Sequence, residues 1–353
     1  MRNSARAFLL GPLLKGVSRS FYLTLRVLPV GMRDPIGLAY LLARAADTIA
    51  DTSLIAPAQR LELLLALRTQ INGTAADDGG ALAKRLAVEV AQQQTQSDEK
   101  QLLESIGPAL VALTQLSDDD RTAVREIVTT LTTGMEFDLR TFPDERSGQL
   151  AALREYDELD RYTYLVAGCV GEFWTKMTYA HMPGTLRGDP ATLMQRGIRF
   201  GKALQMTNIL RDCAKDLRIG RCYLPQTMLA QFDLTPTDLL ASDASPRAQP
   251  LMLALVRKTL EHYRAAADYT FALGPLSIRL RLACLWPILI GLETMLLLVR
   301  NPHWLDAGKA SKVPRGDVYR IIARSVLLVV SERSLRKWID AQFAAIEAHL
   351  AGS

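Results

Sequence analysis

Cysteine and histidine are scarce in this 353-residue chain, with four of each. Cys169, Cys213, Cys222 and Cys284 form no CxxC pair and have no histidine at metal-ligand spacing. That argues against structural zinc and a disulfide framework, and a reducing cytoplasm is the compartment expected. No Lys/Arg-rich run and no nucleic-acid motif are present, so nucleic acid is not an expected partner. No segment alternates as a strand, and no GxGxxG follows one, which excludes a Rossmann-type nucleotide site. The N-terminal apolar run is too short for a signal peptide. Long hydrophobic runs are absent but for one, residues 282–299, and Pro287 and Glu293 within it favour a buried core helix over a membrane span. What the chain does have is apolar material, 49% of its residues, enough for a sizeable core. Its 42 Lys and Arg against 37 Asp and Glu leave a net charge of +5, which suits anionic partners such as diphosphates or lipid headgroups.

Helical periodicity runs through nearly every long segment. It predicts helices at about 16–28, 34–51, 57–72, 80–95, 98–115, 118–139, 148–155, 157–181, 190–217, 248–273, 277–300 and 316–349, separated by turn-rich breaks at 72–80, 182–190 and 233–250. No repeat, low-complexity tract or polar linker divides the chain, so one all-α domain over 1–353 is expected, with C-terminal helices in 248–349.

Two aspartate pairs stand out. In "ARAADTIADT" (43–52), Asp47 and Asp51 lie one helical turn apart among alanines, and like charges at that spacing cost roughly a few tenths of a kcal/mol. The pattern recurs at Asp212 and Asp216, where Gln205, Asn208, Asp212 and Asp216 form one stripe at i, i+3, i+7 and i+11. Amide and carboxylate oxygens suit a hard divalent cation, and magnesium typically takes one or two carboxylates plus substrate phosphates. Two such helices facing one another would present acidic rims to a pair of diphosphates, with the metal stabilising a departing one. Ser18 and Arg19, Arg44 and Arg211 stand close to these features in sequence, and arginine is the preferred bidentate partner of phosphate. The plainer reading of Arg44 and Arg211 is a local ion pair with the neighbouring aspartate. Between the acidic helices, "DRYTYLVAGCVGEFWTKM" (160–177) sets Tyr164, Gly168, Gly171 and Thr175 on one face, where simple close packing of helices accounts for the glycines.

The ordered pieces "SRSFYLTLRVLP" (18–29), "YLLARAADTIADT" (40–52), "YTYLVAGCVGEFW" (162–174) and "LQMTNILRDCAKDLRIGRCYLP" (204–225) resemble the squalene/phytoene synthase family, the head-to-head prenyl synthases. The resemblance implies the all-α isoprenoid synthase fold around a central hydrophobic cavity. It implies Mg²⁺ on Asp47, Asp51, Asp212 and Asp216 with help from Asn208, and diphosphate contacts on Ser18, Arg19, Tyr40, Arg44, Gln205 and Arg211. The family's catalytic tyrosine precedes "VAG"; here Leu165 lies directly before it, with Tyr164 and Tyr162 as the candidates and Tyr164 the choice. Squalene synthases carry a basic stretch associated with NADPH, which falls here on Lys309, Lys312 and Arg315, with Pro314 where another basic residue often stands.

The expected reaction is condensation of two farnesyl diphosphates to presqualene diphosphate and NADPH-dependent reduction to squalene. The alternative is presqualene diphosphate, dehydrosqualene or phytoene synthesis without reduction. A non-catalytic helical lipid-binding scaffold is the reading from another class, and the paired aspartates argue against it. A hydrocarbon product makes peripheral membrane contact an expectation, through "VLLVV" (326–330) amid Arg324, Arg333, Arg336 and Lys337. No obligate protein partner is expected.

Overall fold

Proline and glycine set several helix limits where the sequence predicts them. The computed structural model describes residues 2–18, 22–75 and 79–351. These fall into two compact units, Met1–Arg140 and Thr141–Ser353.

In the first unit, α1 (Val30–Asp51) begins after Pro29, and α2 (Pro57–Asn72) starts on a proline and ends at Gly73, whose φ of 70° supplies the left-handed cap. α3 (Ser97–Glu104), α4 (Ile106–Thr114) and α5 (Asp118–Thr141) follow; the expected helix at 98–115 breaks at Ser105, just ahead of Gly107 and Pro108. Three aspartates open α5, a favourable charge at a helix N-terminus. α1 packs on α2, α3 and α4. Its Leu38, Leu41, Leu42, Ala45, Ala46 and Ile49 are buried, which leaves Tyr40, Arg44, Asp47 and Asp51 on the accessible side. Buried Arg60 closes the C-terminal end of α1, donating through Nη1 to the Ala50 carbonyl at 3.4 Å and through Nε to that of Ile55 at 3.2 Å.

In the second unit, α6 (Tyr156–Thr163) and α7 (Cys169–His181) are joined by a single π turn, Tyr164–Gly168. The long α8 (Pro190–Arg218) is capped by the Asp189 carboxylate, which accepts from the Thr192 amide at 2.8 Å. α8 packs against α7 and α9 (Gln249–Ala272). Glycines permit the α7–α8 contact: a Cβ on Gly171 would stand 1.8 Å from the Gly197 carbonyl oxygen, and one on Gly201 2.0 Å from that of Ala167. The packing explanation of Gly171 therefore holds.

α10 (Ile278–Val299) is the apolar run. Among the described residues it is the one helix long and apolar enough to cross a membrane, yet it lies mostly buried against its neighbours in this unit.

Two further expectations fail. Residues 148–155 are not a helix: Gly148 turns left-handed (φ 68°), and Ala151–Ala152 pairs in parallel with Arg221–Cys222. The predicted helix 316–349 is two, α11 (Arg315–Leu328) and α12 (Glu332–Ala351). Arg281, fully buried, holds the break. It donates to the Val329 carbonyl at 3.2 Å and to the Leu273 carbonyl at 3.1 Å, and reaches Glu332 Oε2 at 3.3 Å.

Candidate functional site

Tyr40, Arg44, Asp47 and Asp51 fall at i, i+4, i+7 and i+11 on α1, the same pitch as Gln205, Asn208, Asp212 and Asp216 on α8. Arg44, Asp47 and Asp51 of the α1 stripe line a cleft of about 330 Å³ whose other walls include Thr52, Leu54, Gln93, Gln94 and Glu99; Tyr40 is not part of that lining. Arg44 Nη1 meets Asp47 Oδ2 at 2.5 Å and Arg44 Nη2 meets Glu99 Oε1 at 3.0 Å. The local ion pair of the plainer reading is therefore present. Arg44 Nε is nonetheless buried with no hydrogen-bond acceptor, a donor left for an anion in the cleft.

Asp47 is packed round by protein atoms at the base of the cleft, although 37% of its side-chain surface still meets solvent. Burial first, and then repulsion from Asp51, push its carboxyl up to about 6 against the pull of Arg44. A cation would relieve both penalties. Among the described residues no three His, Cys, Asp or Glu side chains converge on one point. A carboxylate pair with amide and hydroxyl oxygens beside it fits Mg²⁺, which completes its shell with substrate phosphates and water.

On α8 the stripe is half-buried to exposed, while Met206, Ile209, Leu210, Cys213, Ala214 and Leu217 fill the other side of the helix. Arg211 grips Asp212 through two nitrogens, with Nε at 3.1 Å from Oδ1. Asn208 donates to Gln205 Oε1 at 3.4 Å, and Asp216 is half-buried. Ser18 is buried and gives its hydroxyl to the Leu14 carbonyl at 2.5 Å. Arg19 lies outside the described residues.

The structure separates the two candidate tyrosines. Tyr162 is buried, stacked on Tyr223 with ring centroids 4.9 Å apart, so it belongs to the core. Tyr164 is half-buried and donates to Glu172 Oε2 at 2.8 Å. Burial and the negative Glu172 raise its phenol to about 12. Lys309, Lys312 and Arg315 are all exposed where the chain enters α11, and an Asn301 amide bonded to the Lys309 carbonyl at 2.8 Å fixes the loop.

Sequence reasoning did not find Glu99, Gln93, Gln94 or Glu172. The first three come from residues some fifty positions beyond the aspartates, with no motif linking them. Glu172 was hidden by the π turn.

A family model described as squalene/phytoene synthase matches residues 14–317, and the chain belongs to that family. The presqualene diphosphate synthase of Zymomonas mobilis subsp. mobilis is 31% identical over 255 residues, covering 71% of each chain. The bifunctional lycopene cyclase/phytoene synthase of Colletotrichum graminicola is 28% identical over 255 residues, 71% of this chain; the chain spans 40% of that protein's length. A structure of TcSQS in complex with the ligand E5700 superposes with a TM-score of 0.70 at 20% identity, over 98% of this chain and 99% of the other. The fold is thus the all-α isoprenoid synthase fold. The family comprises head-to-head prenyltransferases acting on prenyl diphosphates.

Proposed function

We propose that this protein is a squalene synthase: it condenses two farnesyl diphosphates to presqualene diphosphate and reduces that to squalene. The observation that carries the reading is the repeated stripe, in which α1 and α8 each set two aspartates one turn apart beside an arginine. Asp47 and Asp51 on one helix, and Asp212 and Asp216 with Asn208 on the other, are the proposed Mg²⁺ ligands. Bound Mg²⁺ would neutralise the diphosphates and stabilise the leaving group. Arg44 and Arg211, exchanging their aspartate partners for phosphate oxygens, orient the substrates together with Tyr40, Gln205, Ser18 and Arg19. The first diphosphate leaves with its bonding pair, and the double bond of the second substrate attacks the allylic cation. Proton loss closes the cyclopropane, and Tyr164 is the proposed acceptor. NADPH would supply hydride in the second half, its phosphates held by Lys309, Lys312 and Arg315.

Purified protein incubated with farnesyl or geranylgeranyl diphosphate and Mg²⁺, with and without NADPH, tests this. The expected products are presqualene diphosphate without NADPH and squalene with it. Accumulation of the cyclopropyl diphosphate in the presence of NADPH would overturn the reductive half. It would leave a presqualene diphosphate synthase, the second reading, which the 31% identical relative of that name favours.

The proposed location is the cytoplasmic face of a membrane. Tyr319, Val326, Leu327 and Val330 of α11 and its end are 68, 49, 80 and 55% exposed. Residues 312–340 carry seven Lys and Arg against three Asp and Glu, a net +4 of the chain's +5. An apolar face within a cationic border suits an anionic lipid surface.

A further inference from the structure

Tyr164 and Glu172 are eight residues apart, which at about 100° per residue leaves them about 80° out of line on a regular α-helix. The π turn at Tyr164–Gly168 accommodates one extra residue and takes up most of that offset. The phenol and the carboxylate therefore stack on one face at 2.8 Å, and Lys176, a further turn along, holds the other Glu172 oxygen at 3.0 Å. Tyr164 and Glu172 are both half-buried and Lys176 is 45% exposed, so the trio opens to solvent at the lysine. Lys202 packs beside Gly168 and pairs with Asp160 at 2.6 Å.

We propose that Glu172 is the terminal proton acceptor of cyclopropane closure, acting through Tyr164 as a relay. This rests on the prenyl synthase reading above. The carbon that lost the first diphosphate gives up a proton, and the C–H electron pair becomes the second new C–C bond of the ring. The proton passes to the Tyr164 oxygen while the Tyr164 proton passes to Glu172, so the phenol stays neutral and the carboxylate becomes a carboxylic acid. Water takes that proton between turnovers. A proton beside a carbocation is so acidic that base strength is not limiting; where the charge comes to rest is. A phenol that accepted a proton and kept its own would become an oxonium in a water-poor site, at a large desolvation cost. Glu172 removes that cost. It is a positioning residue, since it meets the substrate only through Tyr164; against the penalty of burial, the Tyr164 hydrogen bond and Lys176 together hold its carboxyl below the ordinary range.

The test is the ratio of cyclopropyl diphosphate formed to inorganic diphosphate released from farnesyl diphosphate with Mg²⁺ and no NADPH. This ratio corrects for any loss of ionisation. In Glu172→Gln the amide oxygen still accepts the Tyr164 hydrogen bond but cannot take the proton. The ratio should fall at least about tenfold, with water-captured alcohols making up the difference. Glu172→Asp should recover part of it. Tyr164→Phe should give the same shift, and the double variant no more than either single one. A wild-type ratio in Glu172→Gln, or effects that multiply in the double variant, would overturn the relay alone. No diphosphate release by the wild-type protein would overturn the prenyl synthase reading, and the relay with it.

Discussion

Asp47 carries a measurable stability cost at neutral pH. With its carboxyl raised to about 6 from an unfolded value near 3.8, the folded chain holds this proton more tightly than the unfolded one. The associated stability is full below pH 3.8 and is lost as pH rises through 6, so at neutral pH the ionised carboxylate weighs against folding. Without screening, the shift corresponds to about 3 kcal/mol; with over a third of the side chain in solvent, about 1 kcal/mol is the expected scale. Asp47→Asn should therefore raise Tm at pH 7 by about 1–2 °C in the absence of metal. The gap should close near pH 4. Thermal scans of both proteins across that range check the sign, and a destabilised variant at pH 7 would contradict it. Mg²⁺ with diphosphate should stabilise the wild type and leave Asp47→Asn nearly unmoved. Arg44 carries the same logic in reverse: it is paired on two sides, yet its Nε has no acceptor, as a group prepared for an anion would be.

At the scale of elements, what the sequence made legible depended on whether a helix's limits are local. Helix α2 occupies the predicted 57–72 because Pro57 and Gly73 mark both ends chemically, and α8 starts where Asp189 and Pro190 say it should. The aspartate stripes were legible for the same reason, being spacings within one helix. The break between α11 and α12 was not, because the guanidinium that holds it is Arg281, about fifty residues away. The parallel pairing of Ala151–Ala152 likewise depends on a segment some seventy residues on, and the π turn breaks the 3.6-residue period on which the reading relied. The apolar face of α11 makes its own prediction. The protein should sediment with vesicles containing phosphatidylglycerol more than with phosphatidylcholine alone, and salt should weaken the association. Burying Leu327 is worth roughly 1.5–3 kcal/mol, so Leu327→Asp should lower binding at least about tenfold. Equal binding to neutral vesicles, or wild-type binding by the variant, would contradict the surface assigned.

For the molecule as a whole, the family match runs through both compact units, from residue 14 to 317, and each unit contributes one acidic stripe. Either pair alone reads as a solvated helix face. Their repetition, with an arginine at each, is what the proposed ionisation of a diphosphate rests on. The second half-reaction has no comparable signature, since three exposed cations at the entry to α11 would suit many phosphates. The measurement that tests the central claim most directly is therefore the initial rate of diphosphate release from farnesyl diphosphate as a function of Mg²⁺, for the wild type, Asp47→Asn and Asp212→Asn. The expected result is metal-dependent release that falls about 100-fold or more in each variant. Wild-type rates in either variant, or release independent of divalent cation, would contradict it.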